Sequence, residues 1–398
     1  MKKNNSNITN NNRKENDKPK NNSSSSSSIL IVFLISLLVA LYTFNKDLKL
    51  HFISLSNSTI NTSSSSSSSS MSIKQSYDFT KLDAQEHIEI PEQWYYFGFG
   101  DFVGNQGIQS IVKEGGSGFL RIDSNPFTLT HPSVLDHVKW LALTKESVAV
   151  PENGSLTCSF KVRANTLGAD RHPFGDAIRD AKNDPRLAMG VVNSLDFETM
   201  LVADFAMAGN SLYAIYERLP FAKGDYASFT YMIPIATDID PAAFLDLAIT
   251  WDHPTKTVRW IVGGKVVYQV DRIGYQISRE YVAVDRGGVE ELAFPRSISC
   301  GFGTFSLLDS AETCHIDSTS SSMSSSLGKR CHRSKQTDTS LVRLDQNKES
   351  SRPYVRARHS DDSNQQPFVD EQSLESSRLF NQGAIIDIQS IIITTNQQ

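Results

Sequence analysis

Four carboxylates fall within one stretch, LDFETMLVADFAMAGNSLYAIYERLPF at residues 195–221: Asp196, Glu198, Asp204 and Glu217. Paired carboxyl groups on one face are what acid/base chemistry on a glycosidic bond requires, one protonated to donate and one ionised to accept or attack. A separation of about 5–5.5 Å suits a covalent intermediate, and a gap of about 6.5–9.5 Å leaves room for a water. Glu198, Asp204 and Glu217 are the catalytic candidates. Asp196, Glu198, Asp204, Tyr213, Glu217 and Trp94 are the candidate ligand-binding set.

These side chains share a face only if the backbone is a hairpin. Apolar alternation on both sides of Gly209-Asn210 predicts two strands joined by a two-residue turn. That turn sets Ala208 opposite Ser211, Asp204 opposite Ile215 and Val202 opposite Glu217. One face then carries Phe197, Thr199, Leu201, Ala203, Phe205 and Met207 beside Leu212, Ala214 and Tyr216, a core-facing set. The other carries Asp196, Glu198, Met200, Val202 and Asp204 beside Tyr213, Ile215, Glu217 and Leu219. A slip of one residue would push Glu217 into the apolar set, so the hydrophobic pattern itself selects the register. Asp204 and Glu217 become diagonal neighbours, about 7–8 Å apart. A plainer reading stands beside the catalytic one: Glu217 pairs with an arginine of an adjacent strand, and Asp204 accepts hydrogen bonds from Tyr213 or from backbone.

Aromatic residues cluster at Trp94, Tyr95, Tyr96 and Phe97, with Trp140, Tyr213 and Tyr216 elsewhere. Rings and hydroxyls of this kind stack on sugar faces and bond their oxygens, although strand alternation sends only every second one outward. His137 and His172 lack the paired spacing of a zinc site. Asp101 and Asn105 around a glycine are a weak match to an oxygen-rich calcium loop; otherwise no cofactor is expected. Neither a phosphate-binding glycine loop before a helix nor a Gly-x-Ser-x-Gly elbow occurs.

The chain that must carry these residues has 398 of them, a formal net charge of −5 and a pI near 6.0. That balance offers no basic footprint for nucleic acid. Residues 1–28, rich in Asn, Lys and Ser, are expected to be a disordered cytosolic segment. The apolar run ILIVFLISLLVALYTF at 29–44, preceded by lysines, is expected to be a transmembrane signal anchor or a cleaved signal peptide. Either reading sends the main domain out of the cytosol, as a single-pass type II membrane protein or a secreted one. Residues 45–76 form a Ser/Asn-rich stalk. Asn57, Asn61 and Asn153 head N-glycosylation triplets.

Between residues 77 and 309, short alternating segments recur with Gly, Pro, Asn and Asp between them, and helical signals are sparse. This pattern predicts an all-β sandwich or jelly roll. Residues 310–398 turn to Ser, Arg, Gln and Asp and are expected to be a disordered tail. Its last part, AIIDIQSIIITT, is β-prone, and an added strand, a partner segment and an aggregation hazard are all open readings. Cys158, Cys300, Cys314 and Cys331 permit 158 with 300 and 314 with 331, among three connectivities, and free thiols at 158 and 300 are also open.

A second predicted hairpin, ITWDHPTKTVRWIVGGKVVYQV, resembles the back-sheet signature of the concanavalin A-like lectin and glucanase superfamily. More closely, residues from about Trp94 to Leu308 resemble an uncharacterised family of such domains, through WYYFGFGDFVGNQGI, LDHVKWL, HPFGDA, LDFETMLVADF, YAIYERLPF and VRWIVGGKVVYQVDRIG. The resemblance implies a concanavalin A-like jelly-roll sandwich and no particular activity. In the superfamily's glycosidases the carboxylates read Glu-x-Asp-x-Glu or Glu-x-Asp-x-x-Glu along one strand. Here Asp196-x-Glu198 is followed on that face by Met200 and Val202, so the motif is incomplete. The function expected is therefore glycan or polysaccharide binding on the concave face. Glycoside hydrolase or lyase chemistry and a structural or adhesion role are the alternatives.

Overall fold

The computed structural model describes residues 70–98, 103–128, 138–172, 174–308, 310, 341 and 379–397. Their strands are β1 (Ser70–Asp78), β2 (Trp94–Tyr96), β3 (Ile108–Glu114), β4 (Ser117–Ser124), β5 (Val138–Thr144), β6 (Val148–Ala149), β7 (Gly154–Leu167), β8 (Met189–Leu195), β9 (Leu201–Ala208), β10 (Ser211–Arg218), β11 (Phe229–Ala236), β12 (Leu245–Asp252), β13 (Thr257–Val262), β14 (Lys265–Val270), β15 (Val282–Asp285), β16 (Ser297–Phe305) and β17 (Gly383–Gln397). They form two antiparallel sheets. The first runs β14-β13-β12-β7-β17-β4-β3 with β1 also on β17, and the second runs β15-β11-β10-β9-β8-β16-β5-β2 with β6 on β16.

The first sheet follows one-sided alternation. In β7 every second residue is buried, and Leu156, Cys158, Phe160, Val162 and Ala164 enter the core between the sheets while Lys161 and Arg163 face outward. In the second sheet β5, β8, β9 and β10 are buried at every position. Their inner face joins the main core through Trp140, Val192, Phe205, Met207 and Tyr216, and their outer face carries apolar clusters of its own. Two tryptophans of the first sheet reach across. Trp251 Nε1 donates to Ser194 Oγ at 2.9 Å, and Trp260 Nε1 donates to the Asp204 carbonyl at 2.7 Å, so buried indole N–H groups fasten β12 and β13 to β8 and β9. A disulfide between Cys158 on β7 and Cys300 on β16 ties the layers covalently. Cys314 and Cys331 lie outside the described residues.

Three expectations are corrected. Among the described residues no helix is long and apolar enough to cross a membrane, which overturns the transmembrane element of the expected fold and the single-pass localisation built on it. Residues 29–44 themselves, like Asn57 and Asn61, lie outside the described residues. The tail is not uniformly outside the fold: Gly383–Gln397 is an interior strand, paired with β7 along one edge and with β4 and β1 along the other. Its composition hid this, because a bulge between Ile388 and Ser390 shifts the alternation, so that Ile386 and Ile388 point inward before it and Ile391 and Ile393 after it. Third, the hairpin strand begins at Leu201, not near Asp196.

Candidate functional site

The hairpin register is as the turn dictates. Ala208 faces Ser211, Asp204 faces Ile215 and Val202 faces Glu217. Gly209 takes φ 56, where a side chain would run into the Lys182 carbonyl, and the glycine-first turn fits the twist of the strands it joins. Neighbouring strands extend the face. Asn193 of β8 is the direct partner of Asp204, Gly301 of β16 is the partner of Asn193, and Thr230 of β11 is the partner of Glu217.

The carboxylates divide into two pairs with different fates. Asp196 and Glu198 precede β9, in a turn. Asp196 is buried and accepts from Glu198 N at 3.2 Å, Thr199 N at 3.0 Å and Thr199 Oγ1 at 2.6 Å, and Met200 at φ 59 redirects the chain into the strand. Asp-x-x-Thr before a run of apolar residues was the sequence signal for this turn. Glu198 is more than half exposed, beside Arg296 at 3.4 Å, and Phe197 lies at the surface against Phe97. Neither acid shares the face of Asp204, and Phe197 does not join the core.

Asp204 and Glu217 do share a face, and both are buried. Thr230 Oγ1 donates to Glu217 Oε1 at 2.5 Å. Asp204 Oδ1 has no hydrogen-bond partner, and neither has Asn193 Oδ1 beside it. Burial, with the Glu217 charge adding to it, holds the Asp204 carboxyl well above the usual carboxylate range. The pair lies in a face packed with Val191, Leu195, Ala206, Ile215 and Met232. Asp204 and Glu217 are 5% and 8% exposed, so the pair is covered.

The aromatic ligands expected here are also placed elsewhere. Trp94 is buried between Tyr77 and Phe302, at ring separations of 4.8 and 5.1 Å, which leaves it no face for a ligand. Tyr213 is buried and donates to the Asn183 carbonyl at 3.0 Å; burial raises its phenol above the usual range. Arg218, adjacent in sequence to Glu217, pairs instead with Glu291 at 2.8 Å.

A cleft does open where the edge strands of the two sheets meet. Its volume is about 310 Å³, and His87, Ile88, Glu89, Tyr96, Asn105, Gly107, Ile108 and Gln109 line it. Tyr96 comes from β2 and Gln109 from β3, and the bridges Gln85 to Ile111 and Asn105 to Trp140 lash the intervening loops to the strands. Gln109 is satisfied with its amide nitrogen on Tyr96 Oη at 2.9 Å and the Ile88 carbonyl at 3.1 Å, and with its oxygen on Trp140 Nε1 at 3.1 Å. Tyr96 packs edge-on against Trp140 at 5.7 Å, so its ring is fixed in place. Burial raises the Tyr96 phenol above its ordinary range, and the Glu89 carboxylate adds to that rise while the Gln109 hydrogen bond offsets part of it. His87 holds φ 52 at the rim, a left-handed conformation that histidine tolerates better than most residues. Of the lining, only Tyr96, in the aromatic run at 94–97, and Asn105, weighed as a calcium ligand, draw notice in the sequence, and neither is assigned to this cleft there; His87, Glu89 and Gln109 give no spacing signal.

Among the described residues no group of three His, Cys, Asp or Glu side chains gathers to hold a metal ion. Asp101 and His137 lie outside them, and Asn153 is exposed in the turn before β7.

Comparison with known proteins gives one family and no activity. A model described as a family of unknown function, DUF6081, matches residues 78–397. An uncharacterized protein of Acanthamoeba polyphaga mimivirus is 29% identical over 52% of this chain and 61% of its own length, so the chain spans about three fifths of that relative. Among solved structures, an endo-1,3-beta-glucanase from Streptomyces sioyaensis aligns with TM-score 0.42 and 11% identity over 84% of this chain and 100% of that one. The laminarinase catalytic domain of Thermotoga maritima aligns with TM-score 0.35 and 11% identity over 82% and 98%. An alginate lyase of polysaccharide lyase family 7 reaches TM-score 0.31 and 9% identity over 72% and 82%. Likeness at this level assigns no activity to the chain.

Proposed function

The chain belongs to the DUF6081 family of unknown function, and for it we propose glycan binding without catalysis, in the cleft between the edge strands β2 and β3. The supporting observation is the lining itself. A phenol, two primary amides, an imidazole and a carboxylate surround a concave space of about 310 Å³, the small end of ligand-pocket sizes. Such a set offers donors and acceptors in every direction with little net charge, which matches a hydroxyl-rich ligand better than an anion or a lipid. The Tyr96–Gln109–Trp140 arrangement is fixed before any ligand arrives, so little ordering cost falls on binding.

The test is a panel of soluble glycans and polysaccharides against the full chain, with sugar release monitored in the same wells. Binding without release is expected, and Tyr96→Ala and Gln109→Ala should each weaken it about tenfold, equivalent to about 1.4 kcal/mol, measured below the lowered melting temperature that the loss of their contacts with Trp140 brings. No binding across the panel, or binding indifferent to both substitutions, overturns the reading.

One observation favours a second reading, glycoside hydrolysis or lysis: Asp204, whose hold on its proton burial strengthens, lies diagonal to Glu217 on one face, as a general acid beside a base or nucleophile would. It predicts sugar release that Glu217→Gln abolishes. The burial of both groups argues against it, since a substrate has to reach them.

A further inference from the structure

The polar atoms of the cleft divide into those already engaged and those open to a ligand. Both atoms of the Gln109 amide are engaged: its nitrogen bonds Tyr96 Oη at 2.9 Å and the Ile88 carbonyl at 3.1 Å, while its oxygen takes Trp140 Nε1 at 3.1 Å and lies 3.0 Å from Tyr96 Oη. The amide thus chelates the phenol, donating to its oxygen and accepting its proton, so Gln109 positions Tyr96 and the phenol meets the cleft with a lone pair. Burial and, after it, the Glu89 charge raise that phenol, which puts the carboxylate within electrostatic reach of it. Among the described residues that line the cleft there is no lysine or arginine, and Glu89 carries the one fixed charge.

The segment that supplies Glu89 has the same sign. Residues 82–93, LDAQEHIEIPEQ, hold Asp83, Glu86, Glu89 and Glu92 and no lysine or arginine. Asp83 pairs with Lys113 at 2.7 Å, while Glu86, Glu89 and Glu92 are exposed and make no ion pair with another described residue. This segment is laid along β3 by backbone bonds: Gln85 exchanges two with Ile111, at 3.0 and 2.8 Å, and Ile88 N donates to the Gln109 carbonyl at 3.0 Å. Glu89 is therefore held at the cleft before a ligand arrives.

A concave site with one fixed anion, a phenol lone pair and no fixed cation favours a group that is charged and only donates. An ammonium on a sugar ring is such a group, with three N–H donors and neighbouring hydroxyls for Asn105 and His87 to meet. An acetylated amine would put a neutral amide in its place, and a uronate would set a second anion against Glu89.

We propose that the cleft recognises an amino sugar with a free, protonated amine, as in a glucosamine oligosaccharide, Glu89 pairing with the ammonium and Tyr96 serving as its second acceptor. This rests on the glycan reading of the same cleft and narrows it to one class.

Calorimetric titration of the full chain with soluble oligomers of equal length, one of glucosamine, one of N-acetylglucosamine and one neutral β-glucan, at a mildly acidic pH that keeps the amine protonated, tests it. The glucosamine oligomer should bind about tenfold tighter than either neutral one, the range of a charge-assisted hydrogen bond, and added salt should weaken that preference. The Glu89 side chain makes no hydrogen bond to another described residue, so Glu89→Gln should leave the fold intact and bring the three affinities together. Equal binding of all three by the parent overturns the amino-sugar assignment and leaves glycan binding standing. Binding of none overturns the assignment too, and the wider glycan panel then decides the glycan reading. An oligolysine of equal charge that binds as tightly as the glucosamine oligomer, or a preference that survives Glu89→Gln, would assign the attraction to the chain's net charge of −5 and overturn the proposal.

Discussion

Asp387 and Asp204 are both buried aspartates in the middle of interior strands, one in each sheet, and their surroundings are opposite. Asp387 faces the outer side of a sheet buried on one face only, where Arg121 and Arg163 stretch over Phe119 and bring their charges to it. Asp204 sits in a sheet buried on both faces, where its cross-strand partners are Asn193 and Ile215, its diagonal neighbour is another acid, and one oxygen has no partner. A carboxylate at a wet face can recruit long cationic side chains whose stems cover apolar surface. A carboxylate in a dry face keeps its proton instead. Equal burial therefore gives an ion-paired aspartate in one sheet and a carboxyl with a strengthened hold on its proton in the other.

The largest expected break in that comparison comes from Asp387→Ala. Removing it leaves two guanidinium groups close together over one strand, and loss of one member of a buried charge network costs about 3–5 kcal/mol. Unfolding in urea at neutral pH measures this. A loss below about 1 kcal/mol would put the triad in the class of surface pairs, with no hold on the register.

Asp204→Asn should act in the other direction. The folded-state carboxyl has a raised affinity for its proton, so the stability it permits is complete below the unfolded value, about 3.9, and is lost as pH rises towards the folded value. An amide titrates nowhere in that range. The variant should gain about 1–2 kcal/mol over the parent above neutral pH and have a flatter stability profile from about pH 4 upward. An equal pH slope in both proteins would assign the slope to other groups.

The two aspartates also mark how much was legible. Asp204 and its register could be read because a two-residue turn and clean alternation leave one solution, and the Gly263-Gly264 hairpin was legible for the same reason. Asp387 could not be assigned, since it sits in a low-complexity tail and its strand changes phase at a bulge. Nor does alternation reveal that the outer face of β9 and β10 is covered, because Val202, Ala206 and Ile215 suit a wet edge and a dry layer alike. The extension of the hairpin face back to Asp196 failed on local chemistry: an acid that bonds the amides two and three residues on ends a strand before it begins. The cleft stayed hidden because its lining comes from three separate segments, which the bridges to Ile111 and Trp140 and the bonds of Gln109 to Ile88 and Tyr96 bring together.

The smallest effect, and the one that separates the two causes acting on Asp204, belongs to Glu217→Gln. Burial is the larger cause of the retained proton and the Glu217 charge the smaller, so neutralising Glu217 should lower the proton affinity of Asp204 without returning it to the ordinary range. The upper limit of the pH window over which stability falls should move to lower pH, while its beginning, fixed by the unfolded chain, stays near the ordinary aspartate value. The substituted amide keeps an oxygen for the Thr230 hydroxyl, which in the parent lies 2.5 Å from Glu217 Oε1, so the net change at neutral pH should stay below about 1 kcal/mol. Stability profiles of the parent, Glu217→Gln and Asp204→Asn, measured together, decide the matter. If the upper limit does not move in Glu217→Gln but the slope vanishes in Asp204→Asn, burial alone keeps the acid neutral, and the pair does not act as a coupled acid and base.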